Sequence, residues 1–506
     1  MVQNKENLRL SAVLNAFTGS IDFATKLLVS FFVTPITVAF LGPIYFGAWQ
    51  VLGQLNQYMA TADLRAATSI KYLISRDRSV KSEEELREGV SAGFYSFFLM
   101  FPIYIIFGSL IVWYAPELTG VPTEYIKNIR IAAIVLVTTF VVSQFFFLYE
   151  SMLEGMNLAF KRLGMRAVVT IIGGGATVGV LYLGYGVLGI SLVQLLIVIL
   201  NGVLFYFTVK RNIPWFYLVR VDRSRIIAFV KLSVLYLLLK MSDLLCYSID
   251  LILMGYFLGP KIVSMYAITK YLTIGVFGVI RVFGNGASMG IAKFIGEKNY
   301  SKLLEARSQI ISFQLIVMIL GGAVVCLFNQ SFVNLWSQSQ YYLGGNETLL
   351  TVLISSITIL INIDSSIINA TMNLKRKILI TFLSSLISIG MAFVLTPIYG
   401  TIGLLSSILL GLLFLSVSTT FLLKLLTFEV KVFYNVFFSR TSLIGLSILF
   451  LLTKLSQEFI IKSWGLLGLA VVALSILVSI IVWMLGCNKF QRKVLINTIK
   501  SIKKSK

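Results

Sequence analysis

Long uninterrupted apolar runs recur from one end of the 506-residue chain to the other, separated by short polar breaks. An apolar stretch of about 20 residues crosses the hydrocarbon core as a helix, because lipid offers the backbone N–H and C=O groups no partner. The runs predict about fourteen spans, near 11–38, 44–74, 90–114, 126–152, 164–184, 187–209, 228–257, 262–291, 307–329, 347–372, 377–396, 401–424, 441–457 and 464–486. The second and eighth exceed the bilayer thickness and are expected to tilt or protrude. With 58% hydrophobic and 13% charged residues, no polar stretch is left that is long enough to fold as a soluble domain. The chain reads as an all-α, multi-pass membrane protein. Residues 1–10 are polar and lead directly into the first span, so no cleavable signal is expected. The absence of histidine removes the commonest general base and metal ligand. Cys246, Cys326 and Cys487 lie far apart in or beside apolar runs and are expected to be buried thiols. No metal site and no cofactor are expected.

The net charge of +22 is informative through its placement. Segments 1–10, 71–89, 161–166, 210–225, 293–307, 375–377, 424–440 and 489–506 hold 32 of the 43 Lys and Arg. The alternate connections hold five: Lys127, Arg130, Lys261, Lys454 and Lys462. Cytoplasmic loops retain Lys and Arg, so both termini are expected on the cytoplasmic side. The basic tail Lys500–Lys506 belongs to the same signal and suits contact with anionic lipid. Basic residues spread over eight loops form no single patch, which argues against nucleic-acid binding. Asn-x-Ser/Thr matches at Asn299, Asn329, Asn346 and Asn369 fall on both sides and within a span, and read as chance.

Three short motifs recur in order. Phe40-Leu41-Gly42-Pro43 returns as Phe257-Leu258-Gly259-Pro260, Met156-Asn157-Leu158 as Met372-Asn373-Leu374, and Tyr185-Gly186 as Tyr399-Gly400, at offsets of 217, 216 and 214 residues. Collinear matches at nearly one offset predict two pseudo-symmetric six-helix bundles plus a C-terminal helix pair. The expected boundaries are 1–210, a cytoplasmic linker over 211–227, 228–424, and 425–506 for the extra pair and basic tail. Both halves start from the cytoplasm, so the repeats are parallel, an arrangement that places substrate at their interface.

Charged residues within the predicted spans supply the candidate site. Each costs roughly 2.5–3.5 kcal/mol at the bilayer centre, so Asp22, Lys26, Asp63, Arg65, Lys240, Asp243, Asp250, Lys270, Arg281 and Asp364 are expected to face a cavity or one another. Helical spacing aligns Asn15, Gly19, Asp22, Lys26 and Ser30 in the first span. Gln50, Gln54, Tyr58, Thr61 and Arg65 align in the second, Tyr236, Lys240, Asp243, Tyr247 and Asp250 in the seventh, and Tyr266, Lys270, Thr273, Phe277 and Arg281 in the eighth. Arg65 follows Phe40 by 25 residues and Arg281 follows Phe257 by 24, a near-equivalent pair whose guanidinium forks suit phosphate oxygens. Structural pairing with acids is the competing reading. Asp22 with Lys26, and Lys240 with Asp243, have the spacing to neutralise themselves within one helix. Asp250 has no such local partner, so it is the first candidate for a coupling proton or cation, against a cross-helix bridge to Lys270 or Arg281. Glu150 and Glu154, near the end of the fourth span, share a face with Ser143 and Asn157. Asp22, Asp243 and Glu150 are the other coupling candidates. Asp63 and Asp364 point away from their helices' polar stripes and are expected to pair between helices. The Gly173-Gly174-Gly175 run with Gly179 is expected to permit close helix packing.

About fourteen spans, Phe-Leu-Gly-Pro after the first span, and repeated halves together resemble the polysaccharide-exporter branch of the multidrug/oligosaccharidyl-lipid/polysaccharide (MOP) exporter superfamily, most of all the O-antigen (Wzx-type) flippases. The resemblance covers essentially the whole chain through architecture and short motifs. It implies a monomer of the bacterial cytoplasmic membrane that moves undecaprenyl-pyrophosphate-linked oligosaccharide from the inner to the outer leaflet, beside other polysaccharide assembly proteins. It also implies a lumen lined by basic residues at positions like Arg65, Lys240, Lys270 and Arg281, with Lys26 a further candidate. The lumen here carries several acids as well, a departure from a purely cationic path. No Gly-Lys dipeptide occurs, so no Walker A loop is present, and an H+ or Na+ gradient is the expected driver. The rival readings are a lipid II-type precursor flippase, a multidrug antiporter, and a membrane glycosyltransferase or polymerase. Short external loops with one close acidic pair, Glu117 and Glu124, argue against an enzyme.

Overall fold

A computed structural model gives the architecture, and it describes residues 5–62, 70–71, 73–74, 82–156, 158–296, 299–370, 374–427, 439–488 and 491–492. Among them the chain is all-helical, with 13 α-helices and no strand. In order these are α1 (Lys5–Ala62), α2 (Glu83–Thr119), α3 (Ile126–Gly155), α4 (Ala159–Tyr182), α5 (Gly186–Asn212), α6 (Arg223–Tyr247) and α7 (Asp250–Leu258). Then follow α8 (Pro260–Gly296), α9 (Tyr300–Trp336), α10 (Gly345–Ala370), α11 (Leu374–Thr427), α12 (Arg440–Leu455) and α13 (Trp464–Ile481).

Among the described residues, ten helices are long and apolar enough to cross a membrane, or eleven if α6 and α7, bent by 53° at Ser248–Ile249, form one span. The difference from the fourteen predicted runs has a local cause. Helix α1 is interrupted at Gly42 (φ 67°) and α11 at Gly400 (φ 57°), so each carries two of the predicted spans. Helix α12 has 16 residues, short of a full crossing by length. Within the described residues, the run 228–257 falls on α6 and α7 together and each of the other runs on a helix or half-helix.

The repeated motifs share backbone geometry. Gly42 and Gly259 both take positive φ, 67° and 81°, directly before a proline that opens the next helical segment. Gly186 and Gly400 likewise sit at 53° and 57°. The left-handed region costs an L-residue with a Cβ, and proline suits the first helical position because its missing N–H has no partner to lose there. The sequence Phe-Leu-Gly-Pro thus encodes one helix break, used twice. The third repeated motif falls partly outside the described residues.

Two compact units follow from the contacts, Met1–Met241 with Gly259–Lys261, and Ser242–Leu258 with Ile262–Lys506. In the first, α1 packs on α2 and α4, α2 on α3, and α5 on α3 and α4. Its core gathers Phe94, Phe97, Tyr104, Phe140 and Met152. Helix α2 opens on a capping box, in which Ser82 accepts from the Glu85 amide and Glu85 reaches back to the Ser82 amide. In the second unit, α7 packs on α11, α10 on α11, and α9 on α10, α12 and α13. Leu449 of α12 and Leu474 of α13 belong to the same core as Ile319 and Val352, so the C-terminal pair is built into this unit. Glycines allow close approaches in the first unit. A Cβ on Gly174 would lie 2.6 Å from Val29, and one on Gly173 would lie 2.3 Å from Ile197. Gly175 and Gly179 have open space around them, so only half of that glycine run serves packing. Large apolar side chains such as Phe32, Trp113, Ile171, Phe393 and Leu469 are exposed along the helices, as a lipid-facing surface requires.

Candidate functional site

Charges gather at a few places in each unit. In the first, Asp22 of α1 is buried, and Lys26, one turn on, donates to its Oδ2 at 2.6 Å. Arg166 of α4 approaches from a second helix, its Nε 3.9 Å from Asp22 Oδ1. The same guanidinium donates to Glu150 Oε1 of α3 at 3.4 Å. Asp22 Oδ1 itself accepts no hydrogen bond. Two carboxylates and two cations from three helices therefore meet, with one carboxylate oxygen buried and unsatisfied. One turn beyond Glu150, Glu154 pairs with Lys71 at 3.0 Å. A Cβ on Gly155 would lie 3.0 Å from the Lys71 carbonyl, which leaves the two segments in close contact. The i, i+4 pairing of Asp22 with Lys26 is the one the sequence predicted. Arg166 was not foreseen, because it ends a basic run, 161–166, that reads as a loop.

Among the described residues, two acid–base sites lie in the second unit. Asp250 opens α7, immediately after the break at Ser248–Ile249. The helical stripe running from Tyr236 to Asp250 therefore does not continue through one straight helix, and the phase assigned to Asp250 lapses at the break. Asp250 is buried and bonded across helices. Tyr266 of α8 donates to its Oδ2 at 2.7 Å, and the Lys270 ammonium donates to the same oxygen. This is the cross-helix bridge to Lys270. Thr269, beside Lys270, fixes α8 locally. Its carbonyl accepts from Asn329 Nδ2 of α9 at 2.9 Å, and its hydroxyl accepts from the Leu343 amide at 2.9 Å. Asn329 is fully buried, which suits the chance reading of its glycosylation-like motif.

Asp364 of α10 is another buried acid of this unit. Arg307 of α9 grips it with both arms of the fork, Nε to Oδ1 at 2.6 Å and a terminal nitrogen to Oδ2 at 2.8 Å. Thr420 of α11 donates to Oδ2 at 3.2 Å. Pairing between helices was expected for Asp364. Its partner was not, since Arg307 ends the basic segment 293–307 in the sequence yet is only 5% exposed. Glu150 and Asp364 stand 214 residues apart, the offset of the Tyr-Gly repeat, and each receives an arginine from another helix of its own unit.

Of the remaining candidates, Asp243 and Arg281 both lie within electrostatic reach of Tyr247. Arg281 is exposed and Lys240 half-buried. Arg65 and Asp63 lie outside the described residues, as does the basic tail. The second unit also contains an apolar cavity of about 240 Å³, lined by Leu315, Met318, Leu353, Ile357, Leu409 and Leu446 among others, with no charged residue in its wall.

This helical arrangement has the same fold as solved structures of a lipid flippase and of multidrug transporters. Among solved structures, the lipid II flippase MurJ in its inward closed conformation aligns with a TM-score of 0.64 at 16% identity, over 93% of this chain and 97% of its own. An inward-facing multidrug resistance MATE family transporter of the MOP superfamily aligns with a TM-score of 0.61 at 14% identity, over 86% and 99%. The eukaryotic MATE transporter AtDTX14 aligns at 0.59 and 14%, over 88% and 99%. No family model and no curated protein matches the sequence.

Proposed function

We propose that this chain is a flippase that carries an undecaprenyl-pyrophosphate-linked oligosaccharide repeat unit, of O-antigen or another surface polysaccharide, from the inner to the outer leaflet of the bacterial cytoplasmic membrane. Alternating access coupled to an H+ or Na+ gradient drives it, with both termini cytoplasmic and the protein acting as a monomer. The observation that carries this reading is the uncharged cavity among α9, α10, α11 and α12. Its wall suits a short segment of an isoprenoid chain, and Ser442, Gly445 and Leu446 of its lining come from the first helix of the C-terminal pair. A lipid tail in such a groove leaves the anionic headgroup to basic side chains, and Arg65, Arg281, Lys240, Lys270 and Lys26 are the proposed contacts. A lipid II-type precursor is the second reading, favoured by the alignment over 93% of the chain with the MurJ flippase.

Coupling is assigned to Asp22 with Glu150 in preference to Asp250 and Asp243. Asp22 is paired with Lys26 through Oδ2, but its buried Oδ1 accepts no hydrogen bond and has the Arg166 Nε only at 3.9 Å, which leaves that oxygen able to take a proton during the cycle, whereas Lys270 and Tyr266 both bond Asp250 directly. Deleting the gene and analysing lipid-linked saccharides by leaflet tests the function. Accumulation of a pyrophosphate-linked repeat unit on the cytoplasmic leaflet is expected, and accumulation of lipid II alone would transfer the assignment to the second reading.

A further inference from the structure

We propose that Asp250 is a placeholder for the substrate's anionic group, a carboxylate that occupies Lys270 in the empty protein and yields it to a pyrophosphate headgroup. The proposal rests on the headgroup reading above. Lys270 is the more accessible partner, its side chain 23% exposed against 9% for Asp250. An incoming anion therefore meets the ammonium first. The ammonium is on a flexible four-carbon stem, while the carboxylate is fixed on the first turn of α7.

The surroundings of Asp250 prepare it for losing the ammonium. Tyr266 donates to the same Oδ2 that Lys270 holds, at 2.7 Å. Asp250 also stands on the opening turn of α7, which presents the positive end of its helix dipole. When Lys270 swings away, the Tyr266 hydrogen bond and the helix dipole remain, so the exchange leaves no bare buried charge of the kind that makes a broken ion pair so costly. Tyr266 and Lys270 are one turn apart on α8, and the ammonium lies 5.2 Å from the centre of the Tyr266 ring, which gives it a second favourable surface along its path. Thr269, tied to Asn329 and to the Leu343 amide, restrains the turn of α8 that carries both residues.

Such a placeholder sets specificity. An anion must out-compete a tethered carboxylate already in place, so a small, weakly held anion such as inorganic phosphate is rejected. A pyrophosphate bearing a lipid and a sugar brings additional binding energy from parts remote from Lys270 and displaces Asp250. The departure from a purely cationic path then has a use, since the acid filters what the base binds.

Binding measurements on the purified full-length protein in lipid nanodiscs test this, using inorganic pyrophosphate and undecaprenyl pyrophosphate as probes. Asp250→Asn should tighten binding of both, roughly tenfold, and should create measurable binding of inorganic pyrophosphate where the wild type shows none. Adding Lys270→Gln should erase the gain. Tyr266→Phe should act oppositely and weaken undecaprenyl pyrophosphate binding, because the carboxylate then keeps Lys270 as its principal partner. Unchanged or weaker pyrophosphate binding in a folded Asp250→Asn protein would overturn the placeholder. So would a gain that survives Lys270→Gln. The two readings fail separately. Wild-type protein that ignores undecaprenyl pyrophosphate, with Asp250→Asn still gaining Lys270-dependent inorganic pyrophosphate binding, rejects the substrate class and retains the placeholder.

Discussion

Arg307 and Asp364 pay the cost of burying two charges through a planar fork that satisfies both carboxylate oxygens, with Thr420 adding a third bond. Removing one partner leaves the other charged and buried, so Arg307→Ala or Asp364→Ala should destabilise the protein by about 3–5 kcal/mol. Thermal unfolding in detergent checks this, and the double change to similarly sized apolar residues should recover most of the loss. Asp22 makes a contrasting prediction. Asp22→Asn should abolish gradient-driven transport in vesicles while leaving headgroup binding in place. Gradient dependence equal to wild type would remove Asp22 as the coupling group. The acids of both sites were legible in the sequence, because an acidic residue within an apolar run stands out. Their arginines were not. Arg166 and Arg307 close basic segments at span ends, where linear reading assigns them to loops, and only the packing of α4 on α1 and of α9 on α10 turns them inward.

Helix breaks decide where periodicity can be trusted. Glycine before proline marked the break at Gly42 and again at Gly259, and these were readable because the motif repeats. The bend at Ser248–Ile249 carries neither glycine nor proline, so the stripe through Lys240, Asp243 and Tyr247 was extended one turn too far, to Asp250. Partner choice for Asp250 then depended on where α7 begins, which no spacing rule supplies. At Gly42 a Cβ meets nothing within 4 Å, so backbone strain alone sets the effect of a substitution. Gly42→Ala should cost about 1–2 kcal/mol, read as a lowered melting temperature. Gly174→Leu acts by another route, forcing α4 away from Val29 on α1. A Gly42→Ala protein as stable as wild type would show that the break does not need a left-handed residue.

For the whole molecule, the apolar runs set the class of fold, and the collinear motifs predict a repeat within the chain. The repeat extends to paired glycine conformations and to an acid held by an arginine in the fourth span of each half. The substrate was not legible in the same way, since chemistry here resides in side chains drawn from helices far apart in sequence. The most direct measurement reconstitutes the protein in vesicles containing undecaprenyl-pyrophosphate-linked oligosaccharide and follows how fast the sugar becomes accessible to an impermeant probe on the opposite leaflet. Wild-type protein should accelerate exposure under an imposed H+ or Na+ gradient, and the Arg65→Gln, Arg281→Gln double variant should fall to the rate of empty vesicles while still inserting. Exposure no faster with wild-type protein than in protein-free vesicles, under either gradient, would contradict the assignment.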